Sequence, residues 1–160
     1  MLFVSGVLGL SKIGLDNFNK TSNHLSIAQK KYLIPQPRVS LGLLLNNVAN
    51  SMIDISDGLI QDATHLAINS NLSLELNINQ LPLPSLKSLP KKELLNAALY
   101  GGDDYELLFS CKENETRLED LSKQCDVKIT KIGVFKKFQK IYLNFKGFDE
   151  LPKKISYSHF

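Results

Sequence analysis

The sequence predicts a single α+β domain in which helices pack on a mixed β-sheet. Its 160 residues match the length of one domain, and 43% of them are apolar, which is enough for a core. Short apolar strand patterns alternate with helical patterns along most of the chain. Near the end, two strand patterns follow one another directly, which favours a mixed sheet over an all-parallel one.

The first strand and the helices after it are predicted from glycine and proline positions. An apolar strand over residues 2–4 enters a glycine-rich turn at 5–14, which leads toward a helix. A helical pattern over 24–33 ends at two prolines, because proline cannot continue a helix. A second helical pattern follows over 39–45.

The best-defined local unit is a strand followed by a helix. Residues 52–55 are mostly apolar, as is typical of a buried strand. Ser56 or Asp57 is placed to cap the next helix, which runs to about Asn69 with its apolar residues on one face.

The second half of the chain holds the remaining strand and helix patterns. Alternating apolar and polar residues predict a half-buried strand over 72–78, and three prolines make 81–90 a loop. Further helices are predicted at about 91–99 and 115–124, and further strands at 105–111, 127–132 and 140–145.

Composition argues against several functional classes. The formal net charge is +3, but all except two of the 19 positive side chains are lysines, scattered in pairs, so we expect a solvated surface and no nucleic-acid partner. No apolar stretch approaches the ~18–20 residues of a membrane-spanning helix, so no membrane association is expected. Two cysteines without metal-type spacing, and a start without a basic leader, indicate free thiols in the cytoplasm.

The first candidate site is the segment Asp54-Ile55-Ser56-Asp57-Gly58, where the predicted strand ends and a helix begins. Asp54 and Ser56 share one side of that strand, and Asp57 opens the helix. Two carboxylates beside a hydroxyl suit Mg²⁺, which takes one or two carboxylates and completes its shell with water and phosphate. Helix capping by Ser56 or Asp57 explains the same residues, so spacing alone leaves both interpretations open.

The second candidate site is Gly101-Gly102-Asp103-Asp104, just before a predicted strand. Two glycines allow either a close backbone approach or a positive φ. Adjacent acids in strand-like geometry face opposite sides, so one can contact a ligand while the other braces the loop. A plain turn with solvated acids is the alternative. No Walker A motif or protein-kinase signature is present, so nucleotide chemistry here needs another architecture.

In this order along the chain, the two motifs resemble those of the bacterial thiamine-monophosphate kinase family. That family belongs to the superfamily of aminoimidazole ribonucleotide synthetase and selenophosphate synthetase. The similar segments span nearly the whole chain, at residues 3–9, 35–39, 52–59, 101–107 and 157–160. The resemblance implies a fold like the C-terminal domain of that superfamily.

The resemblance implies ATP-dependent, Mg²⁺-assisted phosphorylation of thiamine monophosphate to thiamine diphosphate. By position, Asp54 and Asp57 are the implied Mg²⁺ ligands and Ser56 is the implied ATP contact. Asp103 and Tyr157 are the implied contacts to the thiamine substrate, and Asp103 stands where the family usually has glutamate. No catalytic nucleophile is implied, because phosphoryl transfer depends on positioning and charge neutralisation.

The resemblance also implies that residues 1–160 form one domain, the C-terminal substrate- and ATP-binding half, without the family's N-terminal ATP- and Mg²⁺-binding domain. Three functional states remain open. We expect one half of a split or longer kinase, which binds a partner carrying the missing half or dimerises through it. The alternatives are an inactive remnant and a metabolite-binding or interaction module, which would need Asp103 and Tyr157 but not Asp54 and Asp57.

Overall fold

A computed structural model describes residues 1–20, 25–112 and 115–147. Tyr157, one of the implied substrate contacts, lies outside the described residues. Among the helices in these three ranges, none combines the length and the apolar character that crossing a membrane requires.

Six strands form one mixed sheet in the order β2-β4-β1-β5-β3-β6. Neighbouring strands are antiparallel, except that β3 and β6 are parallel. This confirms the predicted α+β class with a mixed sheet. The strands are β1 (Leu2–Ser5), β2 (Ser51–Asp54), β3 (Leu72–Asn77), β4 (Leu107–Ser110), β5 (Ile129–Lys137) and β6 (Leu143–Lys146).

Helices cover both faces of the sheet. A short 3₁₀ turn over Ile78–Gln80 follows β3. The helices are α1 (Leu10–Asp16), α2 (Ser26–Leu33), α3 (Val39–Leu45), α4 (Leu59–Ser70), α5 (Lys91–Tyr100) and α6 (Glu115–Cys125).

Alternating side chains of the central strands divide the core between the two faces, because successive residues of a strand point to opposite sides. Leu2 and Val4 of β1 join the cluster packed by α4 and α5, whereas Phe3 joins the cluster packed by α3 and α6. Phe3 stacks on Phe109 of β4 with ring centroids 5.7 Å apart. The buried central strands therefore hold the loops that follow or precede them in fixed positions.

A third apolar cluster joins α1 and α2 to α5. Gly14 of α1 lies so close to α2 that a Cβ there would be 2.2 Å from the carbonyl oxygen of Ala28. Ile13, Ala28 and Ala97 are buried in this contact. The two short helices are thus packed as one unit.

Several element boundaries differ from the sequence prediction. Helix α1 begins at Leu10, inside the glycine-rich segment 5–14 predicted to be a turn, and continues to Asp16. Strand β4 begins at Leu107 rather than at residue 105, because Asp103 and Tyr105 have φ of 64° and 50°, which interrupts an extended strand. Strand β5 continues to Lys137 because it pairs along β3 as far as Leu72.

Candidate active site

A pocket of about 210 Å³ opens between helices α1 and α2 on one side and two acidic loops on the other. We call residues 54–58 the first acidic loop and residues 101–106 the second. The structure brings Ser56, Asp57 and Asp103 to this one pocket, whereas Asp54 lies exposed at the end of β2, outside the pocket wall. The pocket is lined by Ser11, Lys12, Leu15, Tyr32, Ser56, Asp57, Gln61, Gly102 and Asp103.

Backbone hydrogen bonds hold the two acidic loops side by side. The Ile55 N–H donates to the Glu106 carbonyl (2.8 Å) and the Tyr105 N–H to the Ile55 carbonyl (2.9 Å). A Cβ at Gly102 would lie 2.4 Å from the Ser56 carbonyl oxygen, so this position requires glycine. Close approach, rather than a positive φ, therefore explains this glycine.

The first acidic loop does not cap helix α4 with a side chain, so the capping interpretation of Ser56 and Asp57 is wrong. Gly58, with φ of 111°, occupies the N-cap position, and no side-chain cap hydrogen bond forms there. The carboxylate of Asp62, in the first turn of α4, instead accepts a hydrogen bond from the Asp57 N–H (3.2 Å). The side chains of Ser56 and Asp57 are thereby left to line the pocket.

The charges of Asp54 and Asp57 act on a third carboxyl, that of Asp62, at the start of α4. Burial raises the pKa of Asp62 to about 6, the hydrogen bond from the Asp57 N–H opposes this shift, and the charges of Asp57 and Asp54 increase it. Neighbouring carboxylates that repel one another suit a hard cation such as Mg²⁺. Gln61 donates to the Asp57 carboxylate (3.0 Å), which orients it.

The carboxylates of Asp54 and Asp57 supply only part of the coordination shell that Mg²⁺ needs. Across residues 1–20, 25–112 and 115–147, no group of three or more His, Cys, Asp or Glu side chains is arranged to hold a metal ion. Mg²⁺ commonly takes only one or two protein carboxylates and keeps water and substrate phosphate as its other ligands. Asp54 and Asp57 suit that smaller role.

The adjacent acids of the second acidic loop face opposite surroundings, as the sequence predicted, although Asp103, with φ of 64°, does not have the strand-like geometry on which that prediction rested. Asp103 lines the pocket and accepts a hydrogen bond from the Tyr105 hydroxyl (3.2 Å). Asp104 is fully buried and accepts from the N–H groups of Gly9 (2.6 Å) and Ser11 (3.3 Å). Burial raises the pKa of Asp104 to about 7, although these two hydrogen bonds oppose the shift. Asp104 thus fixes the start of α1 against the pocket.

Glu106 is the centre of a buried ionic network that sequence reasoning missed. Its carboxylate accepts two hydrogen bonds from Arg38 (both 2.7 Å), one from Lys31 (2.9 Å) and one from Ser5 (2.6 Å). Burial opposes ionisation, but these hydrogen bonds outweigh it and hold the pKa of Glu106 below its usual value. Arg38 and Glu106 both lie in segments that carry the family resemblance, 35–39 and 101–107, and this is the sequence signal that could have indicated their pairing.

Sequence reasoning also missed one side of the pocket. We call Ser11, Lys12 and Leu15 of α1, together with Tyr32 of α2, the helix wall. These residues belong to no recognisable motif. They meet the acidic loops only because α1 and α2 pack together beside α5.

The fold and the paired acidic loops first define a class of protein. The hydrogenase maturation protein HypE of Escherichia coli aligns with the whole chain and half of its own length, with a TM-score of 0.60 at 14% identity. At that identity the likeness concerns the fold alone, and it agrees with the predicted α+β domain with a mixed sheet. No family model matches the chain.

Relatives of higher sequence identity are thiamine-monophosphate kinases. A thiamine-monophosphate kinase of Buchnera aphidicola subsp. Schizaphis graminum is 36% identical over the whole chain and 52% of its own length. The crystal structure of the Stenotrophomonas maltophilia thiamine-monophosphate kinase is 30% identical over 91% of this chain and 49% of its own, with a TM-score of 0.84. A third structure, titled AaThiL complexed with AMPPCP and TMP, is 28% identical over 93% of this chain and 48% of its own, with a TM-score of 0.74.

These similarities confirm the resemblance to the thiamine-monophosphate kinase family. The chain is homologous to about half of such a protein, since it spans about half the length of the curated relatives it matches.

Proposed function

We propose that this chain is the C-terminal half of a thiamine-monophosphate kinase, which transfers the γ-phosphoryl group of ATP to thiamine monophosphate. One observation carries the proposal: a single pocket gathers Ser56, Asp57 and Asp103 from two loops distant in sequence. The relatives that match the whole chain are thiamine-monophosphate kinases, and one similar structure holds an ATP analogue together with TMP.

The first acidic loop forms the ATP side of the proposed site. Asp54 and Asp57 would hold Mg²⁺, and the Ser56 hydroxyl would donate a hydrogen bond to ATP. When bound, Mg²⁺ supplies neutralisation of the phosphate charges. This chain contributes position and charge rather than a covalent nucleophile, because the strands fix both acidic loops in place.

The second acidic loop forms the thiamine side. The Asp103 carboxylate would attract the positively charged thiazolium ring, and the hydrogen bond from Tyr105 orients that carboxylate. Tyr157, outside the described residues, would place an aromatic face against the same ring, an attraction of ~0.5–2 kcal/mol.

An exposed apolar face beside Asp54 supports a partner that carries the other half. Val39 and Leu43 lie one turn apart on α3 and are 65% and 72% exposed. Met52 of β2 lies near α3, since a Cβ at Gly42 would be 4.0 Å from its Cε, and it shares the exposed side of β2 with Asp54. A partner on this face would cover apolar surface and bring further ligands to Asp54.

Other parts of the chain with an apolar sequence are already covered. Leu8, Ile13, Leu41 and Leu45 are buried within the described domain. Eleven large apolar side chains are exposed within the described residues, and among them Met52 shares the exposed side of β2 with Asp54. Both cysteines are free, in keeping with the cytoplasmic location that we propose for this enzyme.

The proposed activity is tested by transfer of label from γ-labelled ATP to thiamine monophosphate in the presence of Mg²⁺. The chain is assayed alone and mixed with the part of the Buchnera relative that it does not cover. We expect product from the mixture, loss of product in Asp57→Asn, and full product in Asp120→Asn, a matched exposed aspartate on α6.

Two outcomes would change the proposal. No product from any mixture, with circular dichroism showing folded chains, would contradict the kinase activity and favour an inactive remnant or a binding module. Product from the chain alone would keep the kinase activity but remove the need for a partner.

A further inference from the structure

We propose that the helix wall recognises the two ends of the substrate: Lys12 binds its phosphate, and Tyr32 packs on its positively charged heteroaromatic ring. This inference rests on the proposed function and deepens it. It assigns a role to the side of the pocket opposite the acidic loops.

The helix wall is held rigidly enough to act as a binding surface. Gly14 and Ala28 bring α1 and α2 into direct backbone contact, and their interface is buried against α5. Asp104 fixes the first turn of α1 through the N–H groups of Gly9 and Ser11. A side chain on this wall therefore keeps its position relative to the acidic loops.

Lys12 is the cationic side chain among the residues that line the pocket within the described chain. Its stem packs on the second acidic loop, where a Cβ at Gly101 would lie 2.5 Å from the Lys12 Cβ. Its ammonium group pairs with Asp16, and the two side chains are 24% and 51% exposed. Ion pairs this exposed are weak, so the ammonium can exchange Asp16 for a phosphate.

The charge of the pocket makes such a cation necessary. Asp57 and Asp103 both line the pocket, and each repels a phosphate group. Mg²⁺ at the first acidic loop would offset part of this repulsion for ATP. Lys12, on the helix wall, would offset the same repulsion for the phosphate of thiamine monophosphate.

Tyr32 supplies an aromatic face beside the apolar side chain of Leu15. Its ring is in edge contact with Phe18, with centroids 6.3 Å apart and planes at 73°, which restricts its orientation. An aromatic face attracts a cation placed over it, and Asp103 in the same pocket attracts the same cation. A positively charged ring is thus favoured between them.

The two roles can be separated by measuring two ligands against two variants. Calorimetry gives the Kd of thiamine monophosphate and of thiamine, which lacks the phosphate. We expect Lys12→Met to raise the Kd of thiamine monophosphate about 10-fold or more, because a charged hydrogen bond to the phosphate is lost. The Kd of thiamine should not change. Tyr32→Leu should raise the Kd of both ligands about 3- to 10-fold, and Tyr32→Phe, which keeps the aromatic ring, should bind them as the wild type does.

Lys30→Met is the matched control, because Lys30 is an exposed lysine on α2 outside the pocket. Lys12→Gln repeats the test with a polar side chain, and circular dichroism checks that each variant is folded. If the wild-type chain binds both ligands and Lys12→Met binds them equally well, the role of Lys12 is wrong and the kinase proposal stands. If the wild-type chain, alone or mixed with the other half, binds neither ligand, both proposals are wrong.

Discussion

The two acidic loops lie side by side but use their carboxylates in opposite ways. In the first loop, Asp54 and Asp57 are exposed. In the second, Asp104 and Glu106 are buried and accept several hydrogen bonds each, and only Asp103 lines the pocket. Asp57 and Asp103 each accept a hydrogen bond from a side chain, but they face the pocket and keep acceptor positions for a ligand. The comparison shows that burial with protein donors makes a carboxylate a brace, whereas exposure to the pocket leaves it available to a ligand.

Removing the charge of Glu106 should have the largest effect on stability. Glu106→Gln leaves Arg38 and Lys31 without their buried counter-charge, so we expect a loss of about 3 kcal/mol in the free energy of unfolding. Urea unfolding at pH 7 measures it. Glu75→Gln is the control, because Glu75 pairs with Lys136 at the surface and its loss should change little. Equal losses in the two variants would show that the buried network is not a brace.

Asp104→Asn should have an intermediate effect that depends on pH. Asparagine has one acceptor atom for the two N–H groups of Gly9 and Ser11, so we expect a loss of about 1–3 kcal/mol at pH 5. The folded-state pKa of about 7 lies above the unfolded value of about 3.9. The protonated Asp104 carboxyl therefore makes its full contribution to the free energy of unfolding below about pH 4, and this contribution is lost as the pH rises through about 7.

The stability difference between wild type and Asp104→Asn should consequently narrow as the pH rises from 5 to 8. Urea unfolding of both proteins at each pH unit measures it. A difference that stays constant across this range would mean that Asp104 titrates normally and that burial does not perturb it.

Asp57→Asn should have the smallest effect on stability and a large effect on ligand binding. Asp57 is exposed, so we expect a change within about 0.5 kcal/mol in the free energy of unfolding. Mg²⁺ with ATP should raise the Tm of the wild-type chain and of Asp120→Asn but not that of Asp57→Asn. If Asp57→Asn without ligand loses several kcal/mol in the free energy of unfolding, Asp57 has a structural role like that of Asp104 and Glu106.

Most elements were predictable from the sequence because their signals are local. Prolines at 35 and 37 separate α2 from α3, and alternating apolar residues mark β3, as predicted. The predicted element boundaries are wrong where a contact with a distant part of the chain determines them. Asp103 and Tyr105 adopt positive φ where their loop meets the first acidic loop, which delays the start of β4.

The candidate site was predictable only in part. The motifs marked Ser56, Asp57 and Asp103, and the structure brings these three to one pocket. Capping by Ser56 or Asp57 was the wrong alternative, because Gly58 and Asp62 organise the start of α4. The helix wall could not be predicted, because no local sequence pattern indicates that Lys12 and Tyr32 face the acidic loops.

Local signals in the sequence were sufficient to predict most element types, the α+β class and the two acidic loops, because spacing, helix-breaking residues and residue types act over a few neighbouring positions. Which carboxylates are buried and which face the pocket depends instead on long-range packing. Glu106 reaches Ser5 across 101 positions of sequence, and Asp104 reaches Gly9 across 95. Contacts this distant depend on strand order and helix packing, and these form only when the whole core is assembled.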